Sequence, residues 1–280
     1  MSKNQFGGSW TERKMQIVVD YAKAYLVIMN KQTWAKTIYF DGFAGSGLIE
    51  EEKEEIKKGT ALRILDISIP KPFDLYYFVE LDQDRKKHLE ETIQKNYFGK
   101  NAHVVQADCN DKLIKLADFL KKNKKYRALA FIDPYGMSVN WNSIEVLKDL
   151  GIDLWILIPT GIGVNRLLKK DGNISEAWLN KLEIFLGIGK EKIKETFYKR
   201  YSSYNLFEDK METFETKQYN AIEKIHQLYK ERLKTVFKYV SNAFVLRNST
   251  KAIMYHFIMA TNNPNAMKIA NEIIEPKYKL

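Results

Sequence analysis

Four times in its first 135 residues this chain runs a short apolar, β-branched or aromatic stretch into an acidic residue. The stretches are Ile38 to Asp41, Asp74 to Glu80 and Asp82, Ala102 to Asp108, and Arg127 to Asp133. Val, Ile, Tyr and Phe favour strands, and strands that are apolar almost throughout belong to sheets covered on both faces. Between them lie segments with helical spacing. Alternating strand and helix implies a parallel sheet with right-handed crossovers. In that architecture the carboxyl ends of the strands line one crevice, and ligands bind there. A chain that puts a carboxylate at each of four successive ends has an acidic crevice.

The first strand breaks into Asp41-Gly42-Phe43-Ala44-Gly45-Ser46-Gly47. Glycines at such a turn allow positive φ and a close approach of ligand to main chain. The order is G-x-x-G-x-G, so it is not the G-x-G-x-x-G of dinucleotide enzymes. No Lys-Ser/Thr pair follows, so it is not a phosphate-binding P-loop.

The rest of the chain fits around this unit. Met15, Val18, Val19, Ala22, Tyr25, Leu26 and Met29 recur at helical spacing over residues 11–30, with Thr11 as a candidate N-cap. Lys14, on the first turn, reads as a solvated lysine or as a cofactor contact. Glu50 to Lys58 is a charge run expected to be a solvated loop or a short exposed turn. Gly59-Thr60 opens a helix over Ala61 to Ile67, stopped by Pro70 and Pro72. Helices are expected to Asn96, over Asp111 to Lys122 and over Trp141 to Leu150, with a fifth strand at Asp153 to Pro159. Residues 160–240 break the rhythm and read as an inserted helical subdomain, rich in lysine and in aromatics such as Trp178, Phe185, Phe197, Tyr198, Tyr201, Tyr204, Phe207 and Phe214. Ala243 to Leu246 and Ile253 to Thr261 return to strand composition, and Asn265 to Ile274 closes the chain as a helix. The expected organisation is an α/β domain over 1–159 and 241–280, with 160–240 as a candidate substrate- or partner-binding insertion.

Composition narrows the partners. The net charge of +10 favours an acidic partner, most often nucleic acid, although a lysine-rich background gives the same sign. The one cysteine, Cys109, rules out an intramolecular disulfide and a cysteine-built metal site. His88, His103, His226 and His256 are scattered, without paired metal-ligand spacing, so no metal is expected. Met1 to Trp10 lacks the apolar core of a signal peptide, and no apolar run is long enough to span a membrane, so a cytoplasmic location is expected.

The acidic ends suggest a ligand. An acid at the end of the second strand, Glu80, is placed to accept from two ribose hydroxyls. One at the end of the third, Asp108, is placed to accept from an adenine amine. Each carboxylate taken alone is equally a surface or cap residue, but together they describe an adenosine-carrying cofactor. S-adenosylmethionine (SAM) fits best, because Asp41 can hold its methionine amine. Cys109 beside Asp108 reads as a buried thiol or as a pocket-lining residue.

Asp-Gly-Phe-Ala-Gly-Ser-Gly resembles motif I of the class I SAM-dependent methyltransferases, and Phe-Ala-Gly-Ser-Gly resembles the amino-methyltransferases of DNA and RNA. Asp133-Pro134-Tyr135 resembles their Asp-Pro-Pro-Tyr motif minus one proline. Over nearly the whole chain, Thr11-x-x-Lys14, the 41–47 turn, Gly59-Thr60, Phe131-Ile132-Asp133-Pro134-Tyr135-Gly136 and Ala260-Thr261-Asn262 resemble the three-Cys-motif partner protein (TcmP) family. Trp10 stands where that family often has His. The resemblance implies a Rossmann-like class I methyltransferase sheet, mostly parallel with an antiparallel last strand, and a genomically linked three-Cys-motif protein as a possible partner. It assigns Asp41, Gly42, Phe43, Gly45 and Gly47 to the methionine part of SAM, Glu80 to the ribose and Asp108 to the adenine. Asp133 and the Pro134 carbonyl would accept from a target amine, and Tyr135 would stack on an extruded base. Two other readings stay open: a catalytically silent SAM- or nucleotide-binding subunit, and a methyltransferase acting on small molecules or proteins.

Overall fold

The computed structural model describes residues 9–50 and 56–276. Its elements in chain order are α1 (Ser9–Asn30), β1 (Lys36–Asp41), β2 (Leu48–Glu50), β3 (Ile56–Lys58), α2 (Thr60–Leu65), β4 (Leu75–Glu80), α3 (Gln83–Asn96), β5 (Ala102–Gln106), α4 (Cys109–Lys122), β6 (Tyr126–Ile132), α5 (Trp141–Glu145) and β7 (Ile152–Ile158). A π-helical turn, Thr160–Val164, follows. Then come α6 (Asn165–Leu167), α7 (Glu176–Leu186), α8 (Lys190–Phe197), β8 (Tyr198–Asn205), β9 (Lys210–Lys217), α9 (Ala221–Lys234), β10 (Tyr239–Val240), β11 (Phe244–Arg247), β12 (Ile253–Thr261) and α10 (Pro264–Ile274).

The main sheet runs β10-β12-β7-β6-β1-β4-β5, with β11 also paired to β12. From β5 to β7 every pairing is parallel. β12 lies antiparallel against β7. This is a Rossmann-like α/β sheet, mostly parallel and closed on one side by antiparallel strands. The chain winds outward from β1 through β4 to β5, then returns to the other side of β1 with β6. That reversal opens a crevice between the carboxyl ends of β1 and β6, the place where sheets of this class bind ligands.

The sheet is buried on both faces because its strands alternate. Ile38 and Phe40 of β1 face a core shared with α4, α5, α7, α8 and α9. Tyr39 faces the opposite core, shared with α1, α2, α3 and α10. On α1 the side chains of Ile17, Val18, Tyr21, Ala22, Tyr25 and Leu26 are buried on the sheet. Each large one contributes about 1.5–3 kcal/mol relative to exposure.

Three expectations are corrected. Helix α1 begins at Ser9, so Thr11 is a first-turn residue rather than the N-cap. The charge run is not wholly a loop: β2 and β3 pair antiparallel on either side of residues 51–55, which lie outside the described residues. The 160–240 segment is not all helical, because β8 and β9 form an antiparallel ribbon. Tyr198, Tyr201 and Tyr204 recur every third residue there, a spacing that reads as helical although the segment is a strand. Phe185, Phe197 and Tyr198 join the same core as β1 and β6, while Tyr201, Tyr204, Phe207 and Phe214 stand exposed. Among the described residues no helix is long and apolar enough to cross a membrane.

Candidate active site

The Gly-rich turn is held from both neighbouring strands. Gly42 N–H donates to the Phe131 carbonyl at 3.0 Å, and Ala44 N–H to the Val79 carbonyl at 3.0 Å. Gly45 and Gly47 take φ of 65° and 79°, the left-handed region that glycine enters at no steric cost. A Cβ on Gly45 would meet nothing within 4 Å, so the turn faces open space there. A Cβ on Gly42 would lie 2.5 Å from the Cys109 sulfur. Cys109 therefore packs beneath the turn as a buried thiol, and burial pushes its pKa up. Cys109 is not among the residues that line the cavity over the turn.

Over the turn lies a cavity of about 730 Å³, lined by α1, the 43–48 turn, Gly59-Thr60, the start of α3 and the end of β6. Asp41 sits on its floor, 1% exposed. Its carboxylate accepts from the Phe43 N–H at 3.1 Å and from the Tyr39 hydroxyl at 3.4 Å. Burial raises its pKa to about 7, and the nearby carboxylates of Asp133 and Glu80 push the same way. Asp133 lines the cavity and pairs with Lys14 of α1. Lys14 is 5% exposed, so the solvated reading does not hold. A buried ammonium needs a partner, and Asp133 supplies it.

Tyr135 is 61% exposed at the cavity's edge. Its hydroxyl accepts from Arg85 at 2.7 Å, and the Arg85 guanidinium also lies 5.7 Å from its ring centre. Pro134 is buried and does not line the cavity.

Two assigned acids accept from backbone N–H groups. Glu80 is buried, and its two oxygens accept from the backbone N–H of Gly45 at 2.8 Å and of Asp82 at 2.9 Å. It staples the Gly-rich turn to the end of β4. Asp108 is exposed and caps α4, accepting from Asn110 N–H at 2.8 Å. It does not line the cavity. At Asp108 a helix that begins immediately after a strand claims the strand-end carboxylate as its cap, whereas at Glu80 the Gly-rich turn and the chain after β4 donate to it.

The cavity also holds residues that the sequence reading missed: Met15, Ser46, Asp84, Arg85, His88 and Phe131. His88 Nδ1 lies 3.0 Å from the Ser46 carbonyl. Arg85 and His88 are three apart on the first turns of α3, so they share a face. That spacing, at the end of an acidic strand, was the available signal.

No protein-family model matches the sequence, and no curated protein does. Solved structures of similar chain path include Trm1 from Pyrococcus horikoshii in complex with S-adenosyl-L-methionine, at 12% identity over 92% of this chain and 65% of that one, with a TM-score of 0.38. Another is the O-methyltransferase from Bacillus cereus in complex with SAH, at 13% identity over 92% and 83%, with a TM-score of 0.43. Protein LPL1258 from Legionella pneumophila, of family-model DUF519, is 13% identical over 89% and 97%, with a TM-score of 0.39. At such scores the fold is read from the strand order, and that order is Rossmann-like with an antiparallel closing strand.

Proposed function

We propose that this chain is a SAM-dependent methyltransferase whose acceptor is an amine of a nucleic-acid base. One observation carries the reading: Asp41, the positive-φ glycines, Asp133 and Tyr135 converge on a single cavity at the β1–β6 reversal. The residues fit the cofactor in part. Asp41 is a buried carboxylate with only one good donor, beside open space at Gly45, and suits a cationic amine. The ribose and adenine ends would be met by residues other than Asp108, with Arg85 and His88 of α3 closest to hand.

When bound, SAM supplies an electrophilic methyl on a sulfonium. The chain's own task is positioning, which contributes most when the reacting groups are held close and aligned. Lys14 takes Oδ2 of Asp133 and supplies its counter-charge, leaving the other oxygen to accept from an amine N–H. Arg85 fixes the Tyr135 ring at the mouth, where a base could stack. The net charge of +10 favours a polyanion. The β8–β9 ribbon offers aromatics at Tyr201 and Phe214, directly paired across the strands. Its own charge is balanced, with Lys199, Arg200, Lys210 and Lys217 against Glu208, Asp209, Glu212 and Glu215. Phosphate contacts would therefore come from elsewhere on the surface.

Asp133→Asn should lower methyl transfer from radiolabelled SAM to bulk RNA or DNA by about a hundredfold, with SAM affinity by calorimetry nearly unchanged. Unaltered turnover would remove Asp133 from the mechanism.

A second reading is a silent SAM-binding subunit, the partner of a three-Cys-motif protein as the TcmP resemblance suggests. The Lys14–Asp133 pair favours it, since it occupies part of the acceptor group. SAM binding without methylated product on any nucleic acid would support that reading.

A further inference from the structure

The fold brings together two of the histidines that lie scattered in the sequence. His226 of α9 and His256 of β12 stack with ring centres 4.2 Å apart and planes 6° from parallel. His256 is 2% exposed, and its Nδ1 lies 2.8 Å from the Thr160 hydroxyl, in the π-helical turn after β7. Both ring nitrogens of His226 are buried, and among the described residues neither has a hydrogen-bond partner. Glu223, one helical turn earlier and mostly exposed, has a carboxylate oxygen 3.5 Å from His226 Nδ1. One ligand atom from each of Glu223, His226 and His256 can be chosen so that all lie within 4.8 Å of one another.

Buried ring nitrogens without partners call for a water or an ion. We propose that Glu223, His226 and His256 form a binding site for one divalent ion of the zinc class, which ties α9 to β12 and to the turn after β7. Two imidazoles and a carboxylate are a zinc donor set, completed in such sites by water. Glu-x-x-His on one helix face is a recurrent way to present two ligands. If His256 Nδ1–H donates to Thr160, Nε2 carries the lone pair, and the threonine fixes the ring as outer-shell partners of metal-bound histidines do. Burial lowers the pKa of both rings. Stacked planes cannot both contain one ion, so binding requires His226 to swing about its side-chain torsions. Tetrahedral bonds of about 2.0–2.1 Å also need the ligand atoms to draw closer than they stand. Glu223 at the surface provides the entry side. The inference is independent of the methyltransferase reading.

The test uses the full chain stripped with a chelator and titrated with Zn²⁺ by calorimetry, and with Co²⁺ by visible absorption. Wild type should bind one equivalent, with an intense tetrahedral Co²⁺ spectrum and a higher melting temperature. Glu223→Gln, at an exposed position, should fold normally and weaken binding at least tenfold. His226→Ala should abolish the Co²⁺ spectrum, and Thr160→Val should weaken binding by about 10–100-fold. No saturable equivalent in wild type would overturn the proposal. So would wild-type affinity in both Glu223→Gln and His226→Ala.

Discussion

Asp41 and Asp153 are both carboxylates that burial has pushed toward the neutral form, at opposite ends of the same sheet. Asp41 closes β1 at the carboxyl edge. Asp153 opens β7 at the amino edge, beside a smaller cavity of about 310 Å³. Asp153 receives two hydroxyl donors, Tyr21 at 2.8 Å and Thr261 in a very short contact. Asp41 receives one backbone N–H, a long hydroxyl contact and the repulsion of two further carboxylates. The first is a saturated group that joins α1, β7 and β12. The second has acceptor capacity to spare and excess negative surroundings. The same residue type ties elements together at one end, where Asp153 is part-buried, and at the other sits 1% exposed with weaker donors as Asp41. Each receives two donors; the length of those contacts and the carboxylates beside Asp41 separate the two.

The comparison breaks most clearly at Asp153. Asp153→Ala leaves the hydroxyls of Tyr21 and Thr261 without their acceptor in the interior, at about 1–3 kcal/mol for each unsatisfied group. Urea denaturation should show a loss of about 3 kcal/mol, with SAM affinity in the folded protein unchanged. A loss of SAM affinity without a loss of stability would reverse the assignment of the two ends. Asp41→Asn should do the opposite. SAM affinity should fall by about 2 kcal/mol, the scale of one charge-assisted hydrogen bond, while stability at neutral pH holds or rises. Calorimetry and denaturation on the same variant read both.

The sheet was legible because each strand carries its own signal. Ile38 to Asp41 and Leu154 to Ile158 are apolar runs that only a doubly covered strand can bury. The glycines were legible because Gly45 and Gly47 take positive φ, which few other residues adopt. The ion pair of Lys14 with Asp133 was not, since 119 residues separate them and no local pattern announces a contact across the crevice. The backbone partners of Glu80 and Asp108 were not legible for a different reason. A carboxylate at a strand's end has nearby backbone N–H groups competing with any ligand, and sequence does not show which of them wins. The His226–His256 stack was hidden in the same way as the ion pair, although Glu223-x-x-His226 offered half of it. The β8–β9 ribbon was missed because its exposed aromatics have no core to declare their period.

A smaller effect sharpens the comparison through pH. The Asp41 pKa is about 7 in the folded chain against 3.8 for the free side chain. Between those values the folded state keeps a proton that the unfolded state has lost, so stability falls as pH rises through the window. Full ionisation above it costs about 4 kcal/mol in the unliganded protein. Asp41→Asn removes that slope, which denaturation at pH 5 and pH 8 would detect as a smaller difference between the two. A cationic amine binds the ionised carboxylate, so binding must expel the proton below pH 7. Wild-type SAM affinity should therefore rise about tenfold from pH 6 to pH 8, or about 1.4 kcal/mol, then level off. The Asp41→Asn variant should lack this component of the rise. An equal rise in the variant would place the titrating group elsewhere in the cavity and leave Asp41 as another buried structural acid, no different in kind from Asp153.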